Sequence, residues 1–322
     1  NRLGYNPFNV PNDQIVGVDG KLNPNATLIY QGLDWYDAME QTGIRNNYNV
    51  NIAGGGDKHK VFFSASYLDE EGYVLTTGYD RLTTRLNADF EVSNSITIGG
   101  SANISISNSS GPTSAGAGSI ANPFGFAKGI GSIYPVYVND LQGNLVLDAA
   151  GNPVFDSGEG YSEYNIGSRP TNQGRHALQE LLLNDERKKN NNYGFRYYAD
   201  IKIIEGLNFR LNYGRDINEG INKEYENNII GDADPTGRYS EDRYRRDVEN
   251  FNQILTYKKS FMDVHNFDIT AGHESFKRLY SANNGTSIKQ VAEGIYEFDN
   301  FAEPVSLGGA TTEKTIEGYF LR

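Results

Sequence analysis

The chain has 322 residues, 38% of them hydrophobic, with 22 Tyr, 16 Phe and 36 Gly against 10 Pro and 2 Met, an aromatic and turn-rich composition that favours strands over helices. A net charge of -12, from 29 basic and 41 acidic residues, argues against a general nucleic-acid binder, and the absence of Cys excludes disulfides, thiolate metal sites and a Cys nucleophile. No run of about 18 apolar residues is present, so a membrane role would have to use strands.

Residues 1–46 read as a loop with one short helix. The opening NRLGYNPFNVPND carries no initiator Met, charged leader or apolar stretch, and the expectation is a processed or internal piece of a longer chain. In GLDWYDAMEQTG, Asp34 is the expected N-cap, Asp37 follows three residues on, and Gly43 is the expected stop. Trp35 in that helix is either a ligand platform or a staple for the loop.

Strands follow. Tyr48, Val50 and Ile52 alternate with Asn47, Asn49 and Asn51, and side chains in a strand alternate between faces. Residues 61–67 repeat the pattern, and residues 81–92 set Leu82, Thr84, Leu86, Ala88, Phe90 and Val92 against Arg81, Thr83, Arg85, Asn87 and Asp89. Residues 95–107, 193–203 and 207–216 alternate in the same way. Weaker strands are expected near 250–257 and 265–274, and TIEGYFLR begins a ninth. Each strong run is about ten residues long, the length a tilted strand needs to cross a bilayer.

The connections alternate in length. GGGDKHK, VSNS, IIEG and KKSFMDV are short, whereas LDEEGYVLTTGYD, residues 108–192, 217–249 and 275–314 are longer. A soluble sheet has no reason to gather its long loops at one end. An outer-membrane barrel does, with short periplasmic turns and long extracellular loops. The expected fold is therefore all-β, an antiparallel up-and-down meander forming part of a large transmembrane β-barrel, its Asn-rich face lining a polar lumen and its Tyr48, Val50, Ile52 face meeting lipid. Aromatic packing in a soluble sheet is the competing reading.

Within the largest loop, DLQGNLV and DAAGNPV share Asp-x-x-Gly-Asn-x-Val at an eight-residue interval, which suits successive tight turns. A calcium site from Asp140, Asp148 and Asp156 is an alternative use of these carboxylates, but turn chemistry accounts for them without a cofactor. GDADPTGRYSED, with Asp232 and Asp234, lacks a calcium-loop pattern and reads as a solvated turn. His59, His176, His265 and His273 are scattered without metal-ligand spacing. There is no GxSxG elbow or phosphate-binding GxxxxGK[ST] loop, and no catalytic constellation emerges. The chain does not read as an enzyme.

DWYDAMEQTGIRNNYNVNIAGGGDKHKVFFSASYLDEEGYVLTTGYDRLTTRLNADF resembles the early barrel region of SusC/RagA-type TonB-linked outer-membrane proteins. The resemblance lies in the order and separation of Asp34-Trp35-x-Asp37, Thr42-Gly43, Asn47-Tyr48-Asn49, Gly54-Gly55, Tyr67-Leu68-Asp69-x-Glu71-Gly72 and Arg81-x-x-x-Arg85-x-Asn87. It continues more loosely through NDERKKNNNYGFRYYADIKIIEGLNFRLNYGRD and EGYFLR, and departs chiefly in the long loops. It implies a bacterial outer-membrane location, contact with membrane lipid, and import of a large nutrient, an oligosaccharide or a peptide, powered through TonB. It further implies a SusD-like lipoprotein over the extracellular mouth, and a plug, TonB box and further strands outside this sequence. A barrel of about 22 strands curves too gently for this chain alone to close. On that basis Arg81, Arg85, Asp89, Arg196 and Arg210 either face the plug or simply make the lumen polar. Phe124, Phe126, Tyr134, Tyr137, Tyr161 and Tyr164, with Trp35, are the candidates for substrate or lipoprotein contact, since aromatic faces suit sugar rings and interface anchors. A surface adhesin or ligand-binding β-domain without transport is the alternative from another class.

Overall fold

The computed structural model describes residues 6–30, 34–112, 122–131, 133–140, 142–164, 166–262 and 264–322. Nine strands, β1 (Arg45–Gly56), β2 (His59–Glu71), β3 (Gly78–Ser93), β4 (Ile96–Gly111), β5 (Asp185–Ile204), β6 (Leu207–Glu226), β7 (Arg238–Phe261), β8 (His265–Gln290) and β9 (Phe301–Leu321), form one sheet. They are hydrogen-bonded in chain order, with β1 and β9 at the two ends of that order. Every neighbouring pair is antiparallel.

Register sorts the residues into two faces. Tyr48, Tyr67, Leu82 and Ile106 stand in one cross-strand row, and Ile98, Ala199 and Leu211 in another. Tyr48, Val50, Ile52, Phe63, Leu86, Phe90 and Ile98 are all exposed on this face, which in water would be an uncovered apolar surface far larger than single-chain proteins tolerate. The opposite face carries rows such as Arg85, Asn103, Gly194 and Asp216. One face suits hydrocarbon and the other suits water, as in a membrane barrel. The expected alternation of connections is also present: β1–β2, β3–β4 and β5–β6 turn in two residues, while the other ends of the strands carry the longer loops.

Two of those loops are far shorter than expected. β6 and β7 extend into residues 217–249, and β8 and β9 into residues 275–314, leaving only residues 227–237 and 291–300 as connections. The extensions escape an apolar-periodicity test because their alternation is one of charge. Glu219 meets Arg245 at 2.5 Å, Arg215 meets Asp247 at 2.7 Å, and Lys277 meets Glu313 at 2.9 Å. At 26 residues, β8 is about 80 Å long against a hydrocarbon core of about 30 Å, so the upper sheet stands in water.

The expected loop over residues 108–192 narrows to 112–184 and is itself folded. It holds α2 (Pro123–Ile130) and α3 (Ala177–Leu183), and it packs with α1 (Trp35–Met39) from the N-terminal segment. Asp34 caps α1 by accepting from the Tyr36 and Asp37 amides, whereas the helix ends at Met39 rather than at Gly43. Gly43 serves a close approach instead: a Cβ there would strike the Glu71 carbonyl. Trp35, Met39, Val74, Phe126, Ile130, Tyr134, Val136, Val138, Leu178 and Leu181 form the core of this subdomain.

The face assignment yields an outcome for mutagenesis. Leu86→Arg, on the apolar face, is expected to lower barrel stability by about 2–4 kcal/mol, and Asn87→Arg, one residue along on the polar face, by about 0.5 kcal/mol or less. Urea unfolding of refolded protein in lipid bilayers measures both, and equal losses would invert or abolish the assignment.

Candidate functional site

The subdomain places its aromatic residues in three settings. Trp35 is 2% exposed and Phe126 1%; the indole Nε1 donates to the Tyr134 carbonyl at 2.9 Å, and its ring packs on Phe126 and His176 at 4.9 and 4.8 Å. Trp35, Phe126 and Tyr134 are therefore core residues with no face free for a ligand. Phe124 is exposed and lies 6.1 Å from both Tyr36 and Tyr73, apart from the other candidates. Tyr137 and Tyr161 come together in a cleft of about 660 Å3 that also holds Phe155, Asp148, Glu159, Asp234 and Ile230. The side chain of Tyr164 lies outside the described residues.

The cleft is built by local chemistry. In each copy of the Asp-x-x-Gly-Asn-x-Val repeat the Asp carboxylate accepts backbone amides of its own turn: Asp140 from Gln142 and Asn144, Asp148 from Ala150 and Asn152. The glycines take the left-handed conformation the turns require, Gly143 at φ 82° and Gly151 at φ 87°. The Asn144 side chain holds the Asp140 carboxyl below its ordinary range, and the Asn152 backbone does the same for Asp148. Asp156 accepts from Gly158 at 2.8 Å. These carboxylates are thus committed to turns, and among the described residues no group of three or more acidic or histidine side chains is placed to hold a metal. Tyr137 and Phe155 rings lie 5.3 Å apart, and the Tyr161 hydroxyl donates to the Phe155 carbonyl at 2.8 Å. The opposite wall, Ile229, Ile230 and Asp234, comes from the β6–β7 loop. Arg175 of the subdomain ties that wall in place by pairing with Asp232 and, at 2.7 Å, with Glu180.

Behind the cleft, His176 is fully buried. Its Nδ1 accepts the Gln179 amide at 3.1 Å as the cap of α3, and its Nε2 meets the Val136 carbonyl at 2.7 Å. Those two bonds define a neutral ring with the proton on Nε2, and burial lowers the pKa from 6.5 to about 4. Burial raises Glu180 even though Arg175 opposes the shift.

The polar face of the sheet carries a second constellation. Tyr198 donates to Asp89 at 2.7 Å, and the Arg210 guanidinium stands 5.0 Å over the Tyr198 ring and 3.6 Å from Asp200. Arg196 pairs with Asp216 at 2.7 Å. Asp89, Arg196, Tyr198 and Arg210 line a hollow of about 700 Å3 with Asn212, Asn252 and Glu274; Gly214 leaves room for the Arg196 side chain, which a Cβ would crowd at 3.1 Å. Arg81 and Arg85 are exposed on the same face of β3. Sequence reasoning found Asp89, Arg196 and Arg210 through alternation but missed Tyr198, which sits on that face by the same period.

An antiparallel meander with a lipid face, a polar face and an elaborated extracellular end defines an outer-membrane β-barrel. No protein-family model matches the sequence. Among curated proteins, the chain is similar to the TonB-dependent receptors P39 and P3 of Formosa agariphila, at 26% identity over 89% of this chain and 24% over 74%. Among solved structures it superimposes on the RagAB peptide transporter with a TM-score of 0.64 at 17% identity over 90% of this chain, and on the closed-closed RagAB importer with a TM-score of 0.63. The sequence is thus similar to TonB-dependent receptors, and the fold is that of part of the RagAB barrel wall. The chain spans 24% of the length of P39 and 31% of the RagAB chain.

The state of His176 gives a pH dependence. A histidine held below its ordinary pKa stabilises the subdomain fully above pH 6.5, and that contribution is lost as pH falls from 6.5 towards 4. The span is worth about 3 kcal/mol. Fluorescence of Trp35, the one tryptophan of the sequence, read against a Trp35→Phe blank, should change over this acid range in the wild type and lose that step in His176→Gln. An acid profile shared by both proteins would remove His176 from this role.

Proposed function

We propose that this chain forms part of an importer that carries a large nutrient, a glycan or a peptide, across the outer membrane with energy relayed by TonB, and that a SusD-like lipoprotein covers its extracellular mouth. The observation that carries the reading is the cleft itself: the tilted rings of Tyr137 and Phe155, with Tyr161, beside Glu159 and Asp234 at the extracellular end of a barrel wall. Aromatic faces bind sugar rings and peptide side chains, and the carboxylates accept hydroxyl or amide protons. RagAB is a peptide transporter, which sets a peptide beside a glycan as a substrate class. On the lumen side, Asp89, Arg196 and Arg210 supply charge-assisted contacts to a plug, with Arg81 and Arg85 above them. Substrate would meet the cleft first and the charged wall afterwards.

A panel of labelled oligosaccharides and peptides offered to the full-length receptor tests the assignment. Tyr137→Ala with Tyr161→Ala should weaken binding by about 10–100-fold while membrane assembly is unchanged; undiminished binding and uptake by the double variant would overturn it. The orientation has its own test. An epitope tag at Gly158 should be detected on intact cells, and one at Asp57 only after permeabilisation, with reversed labelling placing the cleft on the wrong side.

A further inference from the structure

Cross-strand rows climb out of the membrane as the chain proceeds. The outward row that carries Leu86 on β3 and Phe195 on β5 reaches Arg215, Glu249 and Lys277 on β6, β7 and β8, as the tilt of barrel strands requires. On β8 the apolar outward run is Phe267, Ile269 and Ala271, and Arg278 lies beyond its end by about 24 Å of strand. At this height the lumenal side of β7, β8 and β9 faces the extracellular mouth.

That side carries three cations. The lumenal row of Arg85, Asn103, Gly194 and Asp216 continues through Val248 to Arg278 and Lys314, and Arg246 and Tyr280 are paired in the next row towards the mouth. Arg278 and Lys314 are direct cross-strand partners, a placement of like charges that destabilises a sheet, and Arg246 stands diagonal to Arg278. Among the described residues none of the three has an ion-pair partner; Asp216, the carboxylate of the row, is taken by Arg196 at 2.7 Å. Acid is not scarce, with 41 acidic against 29 basic residues in the chain. On the outward face of the same region Arg215, Arg245 and Lys277 are each paired, with Asp247, Glu219 and Glu313. Arg246 and Arg278 belong to strands that are paired on both sides, so no adjacent strand remains to supply a carboxylate.

We infer that this patch selects the cargo of the importer proposed above, and that the cargo is an acidic oligosaccharide bearing carboxylate or sulfate groups. Arg246 and Arg278 donate to its anionic groups, which the guanidinium fork matches in geometry, and Lys314 adds a third positive charge. The remainder of the Arg246 row favours a sugar over an acidic peptide. It runs from Asn49 through Ser66, Thr83, Ser105, Asn192 and Asn218 to the patch. Such amides and hydroxyls donate and accept as sugar hydroxyls do, and they give little to the apolar side chains of a peptide. Glu159 and Asp234 in the aromatic cleft repel an anionic group, which leaves sugar hydroxyls to the cleft and the acidic groups to the lumenal cations. The inference rests on the import reading and adds to it the charge of the cargo.

The test uses the full-length receptor in detergent with labelled probes of equal length: an oligogalacturonate, a sulfated oligosaccharide, an uncharged oligosaccharide and an oligoglutamate peptide. Wild type should bind one or both acidic oligosaccharides at least about 30-fold more tightly than the uncharged one, the tighter of the two naming the acid group. Arg246→Gln with Arg278→Gln should lower that affinity by about 10–100-fold, the loss of two charge-assisted contacts, and so remove the advantage over the uncharged probe. Lys277→Gln, an equal change of charge on the outward face of β8, should bind as wild type does. If the double variant fails to assemble, Arg246→Gln alone should weaken the acidic probe by about tenfold. Equal binding of charged and uncharged sugars, a loss shared by every probe, or preference for the peptide overturns the inference and leaves import standing. A variant of lower thermal stability that keeps the wild-type ranking of probes assigns the cations to the plug and overturns it as well. Binding of no oligosaccharide or peptide at all would remove the import reading itself, and this inference with it.

Discussion

Hydrocarbon offers no hydrogen-bond partner to a backbone amide, and the chain answers that constraint by pairing its strands with sequence neighbours, from β1 through β9. With the backbone satisfied between strands, the side chains are left to sort by face. The run of Asn47, Asn49 and Asn51 against Tyr48, Val50 and Ile52 is what that sorting leaves in the sequence. Amides are costly against lipid and well suited to a wet lumen, so the odd-looking asparagine run is the ordinary inner face of this wall.

The same ladder continues beyond the membrane under different rules. Around Glu219, Arg245 and Asp247 no face has to be apolar, and the strands are held by backbone bonds with ion pairs laid across them. Each exposed pair is worth little on its own, and their common effect is to favour one register over its neighbours. That is why the transmembrane parts of the strands were legible and their extensions were not: a period-two search reads contrast in hydropathy, and here the contrast is in sign. The two-residue turns were legible for the opposite reason, since short links between strong runs leave the chain few alternatives.

The candidate site was half legible. Tyr137 and Tyr161 stood out as aromatic residues of a long loop, and they do meet. Trp35, Phe126 and Tyr134 carried the same signal but were drawn into a core, because a loop of this length buries its largest apolar groups when it folds on itself. Aromatic type alone does not separate the two fates. Asp234 and Ile230 reach the cleft from the β6–β7 loop, and His176 earns its burial through two hydrogen bonds made 3 and 40 residues away; such meetings depend on tertiary structure and leave no local pattern.

The tandem turns join three short segments of one closed unit. Backbone bonds run from Val146 to Val138 and from Val154 to Val146 at 3.0 Å, and from Val138 back to Val154 at 2.8 Å, so the three short segments close on one another in a ring, and each of the two turns between them supplies its own Asp, Gly and Asn. Because each segment is already paired with both of the others, an inserted eight-residue copy would have to open the ring, whereas substitutions at exposed turn positions such as Gln142 and Ala150 leave its backbone bonds untouched. The rim of the cleft can therefore vary in side-chain chemistry while the ring behind it, like the paired strands below, keeps its backbone fixed.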